Sequence, residues 1–422
     1  MTGRERSSTI SNVISEASLY SADAQQSKSL QQAISCKNDA QLSSRQMRPR
    51  VTMVKGPAIV KVIGQCSCLG CRFSDTTVTV KTGKVLPFEI RRGSKIGITL
   101  EDCGTFWTAS PYLAGTSMWK SVAMKLVQMA ETKKGFAILV VGNSDAGKTT
   151  FCTFLANTCI DAGIVPCIID ADVGQSDLAP PGTIGTASLK SQMTDLRNLE
   201  TPKTGFGFVG SISPAGFEDV IINRAKTAMQ AQCQLASPDI FIVNTDGYVS
   251  DAGIPYKLRM ADELQVKAVI CLGRTVLSSI FKRRTQSIVI RVRSSPFAIK
   301  SRPERIARRI EQYARFIGTA CAVKQFADTR LVYRGQELRT ADLANFGAGT
   351  FVGVESNHAL IGFGCLNSQD SDSMVIRTDL QGEKFDSVLL SDILINDTNS
   401  LDPKTPNDVQ VESVEYLGHE SH

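Results

Sequence analysis

The sequence predicts an α/β chain: a central domain on a mostly parallel sheet, flanked by an N-terminal β domain and a C-terminal mixed, β-rich domain. Three observations predict it. A glycine-bordered loop, Gly142 to Thr149, joins an apolar run to a helical pattern. Apolar runs and amphipathic segments then alternate as far as Val292, the pattern of strands covered by helices. On either side of this stretch, short β-rich runs are separated by glycine-containing turns.

Taken in order, residues 1–50 are rich in Ser and Gln, with Tyr20 as the only aromatic, and are expected to be a disordered tail. They contain no apolar core of a secretory signal, and Glu5, Glu16, Asp23 and Asp39 argue against a transit peptide. Residues 51–112 form the N-terminal β domain, from "GPAIVKVIG", "DTTVTVKTGKVLPFEI" and "SKIGITL". Cys66, Cys68 and Cys71 cluster there, with Cys103 as a candidate fourth ligand. Their spacing is not that of a standard zinc site, and the expectation is small buried thiols without metal.

Residues 113–317 form the central domain. A helix is predicted over Ser117–Thr132 and a buried strand over Phe136–Val141. A second helix follows over Lys148–Asp161, with Phe151, Phe154 and Leu155 on one side. Further strands are predicted at 165–170, 239–246, 266–273 and 286–292, with helices at 217–236 and 255–265 between them. The stretch from Pro180 to about Gly216 carries few helix or strand signals and reads as a long functional loop. Residues 295–317 read as a basic helical segment, 318–400 as the C-terminal β-rich domain, and 401–422 as a polar tail.

The loop Gly142-Asn143-Ser144-Asp145-Ala146-Gly147-Lys148-Thr149, followed by Thr150, fits G-x-x-x-x-G-K-[ST] at every fixed position and sits between strand and helix. Its glycines let successive N–H groups turn inward as an anion nest, and the helix N-terminus adds positive potential. The expected ligand is ATP, with Lys148 at the β- and γ-phosphates and Thr149 on Mg²⁺. Past the next strand stand Asp170 and Asp172, placed to share Mg²⁺ binding and activation of an acceptor hydroxyl. Asp246, at the end of "IFIVNTD", is a further candidate on the Mg²⁺ side.

The net charge of +6 is unevenly placed. Lys282 to Arg315 holds eleven basic residues against two acids, so that segment is +9 and the rest of the chain −3. A local basic patch points to a polyanionic partner, ATP or nucleic acid or both. No run of about 18 uncharged apolar residues occurs, so no membrane span or membrane partner is expected. Twelve cysteines scattered through apolar segments suit reduced core thiols and a cytoplasmic location better than a disulfide framework.

The pieces "GNSDAGKTTF", "DADVGQSDLAPPGTIG", "NTDGYVSDAG" and "IKSRPERIARRIEQYARFIG", in this order, resemble the polynucleotide 5′-hydroxyl kinase family, the archaeal RNA kinases and their eukaryotic relatives in pre-mRNA 3′ cleavage and ribosomal RNA processing. The resemblance spans roughly residues 50–395. It implies a P-loop kinase domain, ATP as donor, and the 5′-hydroxyl of RNA, or also DNA, as acceptor. By the same resemblance Lys148 and Thr149 take the P-loop roles, Asp172 the catalytic acid position, and Gln175 a place near the metal or phosphates. Pro181-Gly182-Thr183 matches the element that clasps the substrate end, and Arg302, Arg305 and Arg309 match a lid over the phosphates. The family's T-x-G-W stands here as Thr245-Asp246-Gly247-Tyr248, with Tyr248 left to stack on a base or sugar. Two other classes stay open at this point: an ATP-bound scaffold with little turnover, and a P-loop ATPase or GTPase driving assembly of a partner.

Overall fold

The computed structural model describes residues 42–43 and 50–395, apart from 133, 200–204, 251, 274–275, 295–296, 298, 318–319, 326–328, 340–342, 344, 370–372 and 381–383. The expected tails, 401–422 and nearly all of 1–50, lie outside the described residues.

The central sheet has seven strands in the order 206–208, 183–188, 166–171, 240–245, 136–142, 268–272, 288–292. The last five run parallel, and 183–188 pairs antiparallel with both of its neighbours, 166–171 and 206–208. Strands 136–142, 166–171, 240–245 and 268–272 are buried along their whole length, as a parallel sheet covered on both faces requires. Ile138, Val140, Ile168, Ile242 and Ile270 point to one face, where helices Thr116–Glu131 and Lys148–Asp161 cover them. Leu139, Val141, Ile169, Val243 and Val269 point to the other, beneath helices Glu218–Leu235, Gly253–Glu263 and Leu277–Arg284.

The stretch after Pro180 is not wholly irregular. Thr183–Ser188 forms a strand against 166–171, with Gly185 opposite Asp170, and Phe206–Phe208 extends the sheet. The sequence Thr-Ile-Gly-Thr-Ala-Ser offers only one large apolar residue, so pattern alone gives no strand there.

The N-terminal region comprises a four-stranded and a five-stranded antiparallel sheet. Strand Ala58–Ile63 alternates in burial, with Ala58, Val60 and Val62 inward. These residues share a core with Trp119, Phe151 and Phe154 of the central helices. Cys66 and Cys68 lie inside this core and Cys103 is exposed. Burial pushes the Cys66 thiol up to about 12 and holds Cys68 and Cys71 above the ordinary thiol value.

A third, seven-stranded sheet of residues 320–394 closes the C-terminal side. Between it and the central sheet lies the basic helix, Arg302–Phe316, shorter at its start than the expected 295–317. Ser301 caps it through a reciprocal box with Glu304, and Pro303 sits in the first turn. Tyr313 and Phe316 pack against Phe351 and Phe363 of the C-terminal sheet, with Tyr313 and Phe351 centroids 5.1 Å apart.

Candidate functional site: a phosphate-binding cleft

Strand 136–142 and helix 148–161 deliver the glycine loop to the carboxyl end of the parallel strands, where open α/β sheets bind ligands. Gly147 takes φ 87° at the helix N-cap, a left-handed conformation that favours glycine. Lys148 is buried, and its Nζ donates to the carbonyls of Gly142 (3.1 Å) and Asn143 (2.8 Å). Burial pulls the Lys148 ammonium down, with Asp172, Asp246 and Asp145 pulling the other way. Thr149 Oγ1 accepts from Asn244 Nδ2 at 3.2 Å, and the same amide donates to Asp170 Oδ1 at 2.8 Å.

The three carboxylates differ in what they have left to give. Asp170 is fully buried and accepts four bonds, from Ser176 Oγ, Asn244 Nδ2 and the backbone N–H groups of Asp172 and Asp177. Burial and the charges of Asp172 and Asp177 push its carboxyl up to about 6. Among the described residues Asp172 uses only Oδ1 in bonds, accepting from the N–H groups of Gly174 (3.2 Å) and Gln175 (3.1 Å), and it lines the cavity. Burial lifts its carboxyl above the usual range, Lys148 offsetting part of the rise. Asp246 is consumed by its own surroundings: Lys257 Nζ at 2.6 Å, Tyr256 Oη at 3.1 Å and the Tyr248 N–H at 2.8 Å. An acid so paired is the anchor of its loop rather than the free metal-side group the sequence suggested. That loop presses on the glycine loop, since a Cβ on Gly247 would fall 2.5 Å from the Ser144 nitrogen.

These groups line a cavity of about 400 Å³. Lys300, Arg305, Arg308 and Arg309 form one wall, and Lys84, Met53 and Pro87 of the N-terminal sheets contribute another. Arg309 Nε donates to the Gly174 carbonyl at 3.0 Å, Arg305 Nη2 to Asp145 at 2.5 Å, and Arg308 pairs with Asp177. Asp177 also accepts from Lys84 at 3.2 Å, and Lys84 reaches Asp195, which is paired with Arg197. Burial alone would push the Asp177 carboxyl up. Arg308, Lys84 and Arg197 overcome it and hold the group well below the carboxylate range. This charge cluster bolts the N-terminal sheets and the basic helix to the carboxylate loop.

The structure therefore brings Asn143-to-Thr150 neighbours Ser144, Asp145, Lys148, Thr149 and Thr150 together with Asp172, Gln175, Tyr248, Arg305 and Arg309 in one cleft. Gly147 lines it as well, whereas Gly142, Asn143, Ala146, Asp170, Arg302, Gly182, Thr183 and Thr245 are not among its lining residues. Arg302 opens the basic helix and is exposed to solvent, away from the cleft, because burial of Tyr313 and Phe316 fixes the helix rotation. Gly182 and Thr183 do not clasp the cavity. Gly182 (φ 85°) is packed against Ile393, and Thr183 Oγ1 donates to the Pro180 carbonyl at 2.5 Å. Thr245 is buried in its strand and donates to the Val140 carbonyl at 2.8 Å. Towards the far end of the helix Gln312 Nε2 donates to the Ser176 carbonyl at 2.9 Å and Tyr313 Oη to that of Pro181 at 3.2 Å, so the helix forms a wall tied to the carboxylate loop.

Sequence reading missed Lys84, Asp177, Asn244 and Lys257 as site-forming residues. Lys300 and Arg308 were visible only as members of the charged stretch. Helical spacing back from the apolar pair Tyr313 and Phe316 points to Arg308, Arg309 and Arg305, and that signal was available.

Among known proteins, residues 142–318 match the family model of the mRNA cleavage and polyadenylation factor CLP1 P-loop. The polyribonucleotide 5′-hydroxyl-kinase of Methanocaldococcus jannaschii is 34% identical over 155 residues, 36% of this chain and 41% of the relative. The kinase of the same name from Pyrococcus horikoshii is 29% identical over 191 residues, 45% and 52% of the two chains. The polyribonucleotide 5′-hydroxyl-kinase Clp1 of Danio rerio is 28% identical over 212 residues, 45% and 47%. The chain spans about half the length of the curated relatives it matches. The fold is similar to the solved structure of the wild-type Clp1p–Pcf11p complex, with a TM-score of 0.68 at 11% identity, covering 84% of this chain and 97% of that one. Among the described residues, no helix is long and apolar enough to cross a membrane.

Proposed function

We propose that this chain, whose residues 142–318 match the family model of the CLP1 P-loop, is an ATP-dependent polynucleotide 5′-hydroxyl kinase acting on RNA. The observation that carries the reading is the meeting, in one cleft, of a phosphate-binding loop, a carboxylate with one oxygen uncommitted, and a wall of arginines.

Lys148 faces the β- and γ-phosphates of ATP. Asp172 accepts the proton of the 5′-hydroxyl, and its raised carboxyl makes it a better base than an ordinary aspartate. The new O5′–P bond forms as the bond from the γ-phosphorus to the β-phosphate oxygen breaks. ADP leaves, and the proton ends on Asp172. Lys148, Arg305 and Arg309 stabilise charge on the equatorial oxygens. Thr149 Oγ1 is a hard donor of the kind Mg²⁺ takes, and a Mg²⁺ carried in with ATP would neutralise charge on the phosphate oxygens. Asp170, with both oxygens occupied, orients Thr149 through Asn244 rather than reaching the metal directly. Gln175 and Tyr248 line the acceptor side. DNA carrying a 5′-hydroxyl presents the same reacting group and is the secondary acceptor. A cytoplasmic location is supported by ten free cysteines among the described residues. The test is transfer of labelled γ-phosphate to matched RNA and DNA oligonucleotides with 5′-hydroxyl ends, lost in Lys148→Ala.

A further inference from the structure

An acid inside a loop that must receive polyphosphate needs a physical reason, because its charge repels the ligand. Asp145 occupies such a place, at φ 59°, a conformation in which a neutral glycine or asparagine would be equally at ease. Its carboxylate is nearly buried and fully used. Oδ1 accepts from Lys300 Nζ at 3.1 Å, and Oδ2 accepts from the Lys300 N–H at 3.2 Å and from Arg305 Nη2 at 2.5 Å. Both cations line the cavity directly above the loop. Arg305 keeps donor capacity: its Nε is buried and has no hydrogen-bond partner among the described residues.

The location of these contacts along the chain matters. The far end of the basic helix is fixed by Gln312 and Tyr313. The segment from Lys300 to Arg305 has two side-chain ties of its own: Glu304 to Lys55 in the N-terminal sheets, and Lys300 with Arg305 to Asp145 in the loop. Only the second fixes the helix start relative to the phosphates.

We propose that Asp145 is a positioning residue: it holds Lys300 and Arg305 over the glycine loop so that both meet the terminal phosphate of ATP. The proposal rests on the kinase reading for the fate of that phosphate, but not for its binding. The trio still leaves one net positive charge, so the acid organises cations without cancelling them. A loop lacking the carboxylate would present less repulsion, yet its two long cationic side chains would be free to rotate into solvent.

A double-mutant cycle on equilibrium ATP affinity tests this with Asp145→Asn, Arg305→Ala and the double variant. Asparagine tolerates the backbone conformation and nearly preserves shape, and thermal melting verifies that each variant is folded. Charge-assisted bonds of this kind make Arg305→Ala cost about tenfold in affinity in the parent chain. If Asp145 positions Arg305, the same substitution costs less than about threefold in the Asp145→Asn background. If the carboxylate merely masks Arg305 from phosphate, the arginine becomes more effective without it, and Arg305→Ala costs more than about tenfold there. Equal costs in both backgrounds mean the two residues act independently. Either of the last two results overturns the proposal. The cycle needs only ATP binding, so its outcome is separate from that of a transfer assay, whose failure would strike the kinase reading alone.

Discussion

Replacing Lys257 by Met probes the least expected part of the site, the buried pair beneath the Tyr248 loop. Lys257 and Asp246 have side-chain exposures of 0% and 5% and lie 2.6 Å apart. The substitution conserves most of the aliphatic volume and leaves Asp246 with Tyr256 Oη and the Tyr248 N–H as its partners. Breaking a buried ion pair from one side costs about 3–5 kcal/mol, and the two surviving bonds put this case near ~3 kcal/mol. For a domain of about 200 residues, that corresponds to a fall of roughly 6–12 °C in melting temperature. Replacing both partners, as Asp246→Asn with Lys257→Met, removes the stranded charge and returns stability to within about 1.5 kcal/mol of the parent. Thermal unfolding followed by fluorescence reads both values. ATP affinity, measured in the same samples, falls in the single variant because Gly247 presses on Ser144 and the loop moves when its anchor does. A melting temperature within about 3 °C of the parent for Lys257→Met, or a double variant no better than the single one, refutes the reasoning.

Two substitutions test the corrected site assignments. Gly182→Ala combines a left-handed backbone with a collision against Ile393, and is expected to cost about 2–4 kcal/mol of stability while leaving the ATP affinity of the folded fraction unchanged. A selective loss of oligonucleotide binding without loss of stability would restore a clasp role. Arg302→Ala should leave kcat within about twofold, whereas Arg309→Ala, whose side chain faces the cleft, should lower it by about 10² or more. Equal losses for the two would mean that the helix turns its first residue inward in the working state.

The central layer was readable because parallel strands buried on both faces write themselves as unbroken apolar runs, as in Ala137–Val141 and Ile240–Val243. The glycine loop was readable because its chemistry is local: backbone N–H groups, one lysine and one threonine within eight residues. What failed to show was set by distant partners. Gly182 is a glycine because of Ile393, and Lys84 enters the site because Asp177, 93 residues further along the chain, holds it there. Strand Thr183–Ser188 exists because strand 166–171 offers it an edge, not because its own sequence demands extension. The basic helix is an intermediate case. Its charge was plain and the resemblance pointed to Arg302 with Arg305 and Arg309, but the helix rotation is decided by where Tyr313 and Phe316 are buried.

If Asp172 serves the acceptor hydroxyl in a cleft built to transfer phosphate, removing its charge must separate phosphoryl transfer from ATP binding. Parent chain and Asp172→Asn are given γ-labelled ATP, Mg²⁺ and a 5′-hydroxyl RNA oligonucleotide, with ATP affinity measured alongside. The parent is expected to yield 5′-phosphorylated RNA, and Asp172→Asn to keep an ATP affinity within about threefold while its transfer rate falls by about 10² or more. Unaltered RNA and DNA recovered from a parent chain that binds ATP, or a normal transfer rate in Asp172→Asn, would contradict it.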